Sequence, residues 1–383
     1  MTTTIQNVKT LFRIQFICWR ILGFLPTDKF RQLYIAYAVI VNIMVTIVYP
    51  IHLIIGLIMS NTLYDFIKNL AMVVTAILCS IKTIIMWLKF HNIEDILDII
   101  TKQNERILLD KDETRYFKYE VLRNLDRVFR MFIIMYISAG VFAELSVLGN
   151  GILGTWRLLY PAYFVFDPFS NSALYFVAHV YQFIGASIII MQILVIDTFG
   201  TMYMALLSGQ LHTLNMRLSK LGADPYKTKR ENNLKLLNCI QDHKDLLEYR
   251  QKLEEVLSFY IFVQIIFTSI IMCSSVAFLI LFTSDAFTLI YYTVYLLATA
   301  LEFLPLCYYG TLVEMEFANL TYSIFSSNWL EQDKIFKQNL RIFAETTKKP
   351  LHITAWQFYI NLDSFLFTCK NAYSIFALIM NMK

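Results

Sequence analysis

The chain has 383 residues, of which 57% are apolar, 15% aromatic and only 16% charged, with a formal net charge of +4. Water-soluble domains carry about 25% charged residues, and a soluble protein of this length would divide into domains whose surfaces these few charges cannot cover. Composition therefore points away from soluble enzymes and toward a membrane protein, and the small, unevenly spread net charge argues against nucleic acid as a partner.

In chain order, residues 14–25 come first, an apolar stretch split by Arg20 with no small-residue cleavage site after it. It reads as an amphipathic helix lying on the membrane, not as a signal sequence. Seven apolar runs follow, each long enough for a helix of about 20 residues to cross a bilayer. They are Leu33 to Met59, Asn69 to Phe90, Val128 to Gly149, Ser172 to Leu207, Val256 to Ser284, Ala286 to Val313 and Leu351 to Met382. The fourth is too long for a simple crossing, so its last turns should project into water as a stalk.

Lysine and arginine fix the expected orientation, because short loops rich in them stay in the cytoplasm. Of the 33, 28 fall in residues 1–32, 89–130, 217–252 and 334–349, while Lys68, Arg157 and Lys383 fall on the other side and Lys82 and Lys370 inside runs. The expected fold is thus an all-α membrane protein with seven transmembrane helices in inverted topology, amino terminus cytoplasmic and carboxyl terminus extracellular. The expected organisation is a cytoplasmic amphipathic segment (1–32), helices 1–6 with a ligand pocket in their outer half (33–313), a cytoplasmic anchor (314–350) and a pore-lining helix 7 (351–383). None of the six cysteines falls on the outer side, so no disulfide is expected.

Catalytic signatures are missing: no nucleophile elbow, phosphate-cradling glycine loop or His-Glu-x-x-His occurs, and the six histidines are scattered singly. Neither enzyme activity nor a cofactor nor a metal site is expected. Asp126-Arg127-Val128 superficially resembles a motif of G-protein-coupled receptors, but it precedes the third run instead of closing it. Ionisable residues at membrane depth are costly. Lys82, Glu144, Asp197, Glu302, Asp363 and Lys370 are each expected to make an interhelical contact or sit near an interface, a permeation or gating role being the alternative.

Aromatic residues cluster in the outer halves. Tyr175, His179 and Phe183 share a helix face in the fourth run, as Thr288, Tyr291, Tyr292 and Tyr295 do in the sixth. For any one of them, packing or an interfacial belt is the plainer reading. Together with Met72, Phe142, Ser146, Cys273, Ser274 and Phe278 they have the composition of an apolar pocket with a few polar handles, suited to a small volatile ligand.

The carboxyl-terminal third carries a family pattern. Leu306-Cys307-Tyr308-Tyr309-Gly310, then Tyr322 to Trp329, then Lys349-Pro350-Leu351-His352-Ile353-Thr354-Ala355, then Lys370 to Leu378, taken in order, resemble the insect odorant receptors, as does Trp19-Arg20-Ile21-Leu22-Gly23. The resemblance implies a ligand-gated, non-selective cation channel in the plasma membrane of olfactory neuron dendrites. In it an odorant-binding subunit joins a shared odorant co-receptor in a hetero-tetramer. The short Ser208 to Glu255 stretch lacks the co-receptor's insertion, which favours the odorant-tuned subunit. By the same resemblance Leu378 and Met382 fall at a hydrophobic gate and Asn381 at a polar pore position, while Trp356 departs from the small residue usual after the Thr-Ala pair. In the anchor, Phe336, Leu340 and Phe343 share one face and are expected to tie this subunit to itself and its neighbours. A metabotropic seven-helix chemoreceptor and a transporter are the competing readings.

Overall fold

The computed structural model describes residues 12–24, 31–152, 154, 156–160, 162–164, 166–282, 286–349 and 351–381, with side chains through Leu378. Their helices are α1 (Arg13–Ile21), α2 (Arg31–Ile58), α3 (Leu63–Leu88), α4 (Phe90–Ile107), α5 (Lys111–Ile152), α6 (Ser172–Ser219), α7 (Lys229–Leu281), α8 (Ala286–Phe325), α9 (Lys334–Thr347) and α10 (Leu362–Asn381). A two-stranded antiparallel hairpin, β1 (Thr354–Ala355) and β2 (Phe358–Tyr359), precedes α10. Helices α2, α3, α5, α6, α7 and α8 are long and apolar enough to cross a membrane. The seventh, α10, is more polar, carrying Asp363, Lys370 and Asn371.

Local chemistry sets where the helices begin. Thr62 caps α3 by accepting from the Asp65 amide at 3.1 Å, and Asp333 caps α9 by accepting from Phe336 at 2.8 Å. Thr228 opens α7 in a reciprocal box with Glu231. In α2 the turn Ile43–Val48 is wound wide, just before Pro50, whose ring cannot supply the next amide proton.

Three helices overrun the bilayer. α6, α7 and α8 have 48, 53 and 40 residues, hence lengths of about 60–80 Å against a hydrocarbon core of about 30 Å. The sequence predicts a stalk only on α6. Residues 217–252, counted there as a loop, and 314–325, assigned there to the anchor, mostly continue α6, α7 and α8 as helix, because the charges of a stalk alternate with a core face instead of breaking the helix. Two cores result. One fills the stalk bundle and its junction, around Phe199, Leu214, Leu246, Phe317 and Phe336. The other lies at the opposite end, around Tyr49, Val73, Phe132, Tyr160 and Ile193.

Three expectations change. α1 is docked as well as amphipathic: Trp19 is fully buried, Phe12 stacks on Tyr203 with centroids 5.1 Å apart, and Gln15 donates to Val195 O of α6 at 3.3 Å. Ile14, Ile17 and Ile21 remain exposed, and Leu25 lies outside the described residues. The seventh helix starts at Leu362 and not at Leu351, since residues 354–359 turn back as the hairpin. Phe336, Leu340 and Phe343 are buried against α7 and α8 of the same chain, so within the subunit they hold α9 to its own stalk.

Candidate ligand cavity

At the end of the bundle away from the stalk, α2, α3, α5, α6, α7 and α8 enclose a cavity of about 470 Å³. The space exists because facing positions are small: Ala76, Ala139, Gly140, Ala143, Ala186 and Ala298 line it with almost no side chain. Ile137, Ile189, Ile190 and Ile193 are part of its greasy wall. Gly185 lets the ring of Tyr49, another wall residue, lie against α6. A Cβ there would overlap that ring.

Among the residues singled out in the sequence, Met72, Phe183, Tyr291 and Tyr295 line the cavity. Tyr295 shares a hydrogen bond with Thr75 at 2.7 Å, and Tyr291 reaches the Met72 sulfur at 3.9 Å. Ser146, Thr288 and Tyr292 line a smaller recess of about 30 Å³, which shares Tyr291, Ala143 and Leu159 with the main wall. Phe278 stands behind that recess, stacked on Tyr292 with centroids 4.1 Å apart. Tyr175 and His179 stack on each other outside the wall, and His179 reaches the wall residue Glu144 at 3.3 Å. Phe142 is not in the wall, and neither are Cys273 and Ser274, which are buried in α7. Leu378 is 61% exposed on α10, while the side chain of Asn381 and all of Met382 lie outside the described residues.

The deep end of the cavity holds what residue-by-residue reading of the sequence missed. Lys82 Nζ donates to Asp197 Oδ1 at 2.7 Å and to Glu302 Oε1 at 2.8 Å. Tyr136 donates to Asp197 Oδ2 at 2.6 Å and Gln264 to Glu302 Oε1 at 2.9 Å. Three intramembrane charges weighed singly are thus one triad joining α3, α6 and α8. Their opposite signs were the available signal, since an ion at membrane depth must find a partner. Among the described residues no group of three or more His, Cys, Asp or Glu is placed to hold a metal ion.

The seven-transmembrane odorant receptor family model matches residues 62–373. The chain is 32% identical to Odorant receptor 59a and 31% identical to Odorant receptor 33b, both of Drosophila melanogaster, with 97% of each chain covered in both comparisons. Its fold is similar to that of the insect olfactory receptor OR5 from Machilis hrabei, with a TM-score of 0.81 at 16% identity over 98% of this chain and 99% of that one. The same receptor solved in complex with eugenol gives a TM-score of 0.78 at 19% identity, covering 98% of both. Spanning most of the chain in the family model and nearly all of it in the relatives, these matches show that the chain belongs to the seven-transmembrane odorant receptor family.

Proposed function

We propose that the chain is the odorant-binding subunit of a heteromeric, ligand-gated, non-selective cation channel, inverted in the plasma membrane with the stalk in the cytoplasm. The observation that carries this reading is the apolar cavity and its relation to α8. Tyr291, Tyr295, Ala298 and Glu302 of α8 line the cavity, and the very next residue, Phe303, meets Phe365 of α10 with centroids 6.5 Å apart. Further along, Thr311 of α8 accepts from the Leu362 amide that starts α10 at 3.1 Å. One helix therefore joins the cavity wall to α10.

A volatile molecule held by Met72, Phe183, Tyr291 and Tyr295 favours one packing of α8 over another, and differential affinity supplies the work of opening. Leu378, Asn381 and Met382 form the gate, where a ring of apolar side chains closes a pore by dewetting. The eugenol complex of the Machilis receptor supports a small aromatic volatile as one ligand class. An odorant co-receptor completes a hetero-tetramer, with the outward side of α9, where Ile335 and Ile342 are 62% and 60% exposed, meeting the neighbouring subunit.

Whole-cell current in cells expressing the chain with and without an insect odorant co-receptor, with guanine-nucleotide signalling blocked, tests this. A panel of volatile alcohols, ketones, esters and aromatics should evoke rapid cation current that requires both chains. An assembled surface complex that responds only with nucleotide signalling intact would contradict it and favour a metabotropic receptor.

A further inference from the structure

The ion triad at the deep end of the cavity does not balance. It sets one ammonium, Lys82, against two carboxylates, Asp197 and Glu302. Both Asp197 oxygens are occupied, one by Lys82 and one by Tyr136, and Glu302 Oε1 receives both Lys82 and Gln264. Glu302 Oε2 has no hydrogen-bond donor among the described residues. The Lys82 and Asp197 side chains are sealed, at 1% and 3% accessible, while Glu302 keeps 14% and lines the cavity. Nearby hydroxyls are already committed: Thr75 to Tyr295, and Thr299 to the Tyr295 carbonyl at 2.9 Å.

We infer that Glu302 forms a headgroup subsite for ligands that bring a hydrogen-bond donor, a hydroxyl or an amine, and that discriminates against ligands that bring only an acceptor. This deepens the odorant-binding reading above and rests on it for the cavity's role. An ionised carboxylate oxygen accepts only, and the Lys82 ammonium at 2.8 Å is the partner of Glu302 in that ionised form. A ligand O–H or N–H satisfies it, whereas an ether or ester oxygen brings lone pair against lone pair and leaves a buried acceptor unpaired. A charged-partner hydrogen bond of about 1.5–3 kcal/mol corresponds to a preference of about tenfold to a hundredfold. An amine that binds already protonated, as its ammonium, also supplies the missing positive charge. The hydrocarbon tail then runs along Ile137, Ile190 and Ile193, where shape alone decides.

Ligand-dependent melting of the purified receptor tests this without any current, because a ligand that binds only the folded state raises the melting temperature according to its concentration relative to Kd. The probes are 1-octanol, octylamine and 1-methoxyheptane, the last an isomer of the alcohol that lacks a donor. The alcohol and amine should stabilise the wild type at concentrations about tenfold to a hundredfold below the ether. Glu302→Gln, whose amide can also donate, should bring ether and alcohol together. An ether as potent as the alcohol on the wild type overturns the inference whether or not any variant folds, and so does an amine no better than the ether. A gap that survives intact in Glu302→Gln overturns it too. Failure here leaves the channel reading standing, and a receptor that binds with this preference but passes no current fails only the channel reading.

Discussion

A methyl group on Gly310 would overlap the carbonyl oxygen of Ile360, so α8 and the segment between β2 and α10 touch backbone to backbone. The glycine is legible in the sequence as the end of a family motif, but its reason is not, because the close approach joins residues 50 apart. Gly310→Ala must move backbone, and a loss of about 1–3 kcal/mol is expected, read as a lower melting temperature of the purified chain. The triad makes a second prediction at this scale. Lys82→Met leaves two carboxylates without their cation and should destabilise by about 3–5 kcal/mol. Combining it with Asp197→Asn and Glu302→Gln should recover most of that, because the cost is the uncompensated charge. If the triple variant melts no higher than Lys82→Met alone, the charge balance is not what the triad contributes. Each charge could be seen in the sequence as expensive, yet their meeting depends on how α3, α6 and α8 pack.

Among the elements, the helices were the most legible and the connections the least. Apolar runs mark both ends of α2 and the first residues of α6 and α8 within a few residues, but the stalk continuations carry too many charges to stand out by hydropathy. Their register with α9 appears only in packing, where His243 of α7 meets the Phe343 ring with centroids 5.3 Å apart. Burial pushes the His243 imidazole down to about 4, so it stays neutral in the folded stalk. The unfolded chain takes up its proton near the ordinary value of about 6.5. The stability tied to the neutral ring is therefore complete above about 6.5 and is lost as pH falls toward 4. Melting of the purified receptor between these pH values should decline less steeply in His243→Leu than in the wild type. Equal slopes would mean that this ring does not sense acid.

The hairpin before α10 was read as the start of a span, since apolar residues fill it. Its turn puts Trp356 at φ 53°, the left-handed region, with its ring 5.0 Å from that of Phe262. A residue with a side chain is strained there by about 1–2 kcal/mol. Replacing Trp356 with glycine or with alanine removes the ring either way. Trp356→Gly should be more stable than Trp356→Ala by about 1 kcal/mol, and the reverse order in thermal melts would show the turn to be unstrained.

At the scale of the whole molecule, one core holds the stalk bundle together and the other surrounds the cavity. α8 runs through both, lining the cavity on one side and supporting α10 on the other. The family pattern reads clearly in the last third of the sequence, while the cavity does not: its volume comes from alanines and glycines on different helices, which have no periodic signature. The central claim is that this volume holds the ligand that opens the channel. The most direct measurement is the odorant concentration–response of Ala143→Phe, a cavity-filling substitution at a wall position, recorded with the co-receptor while the surface complex is quantified in the same cells. The account predicts normal surface complex with the odorant current abolished or shifted at least tenfold to higher concentration, since about 1.4 kcal/mol of lost binding is tenfold. A normal surface complex with an unchanged concentration–response would contradict it.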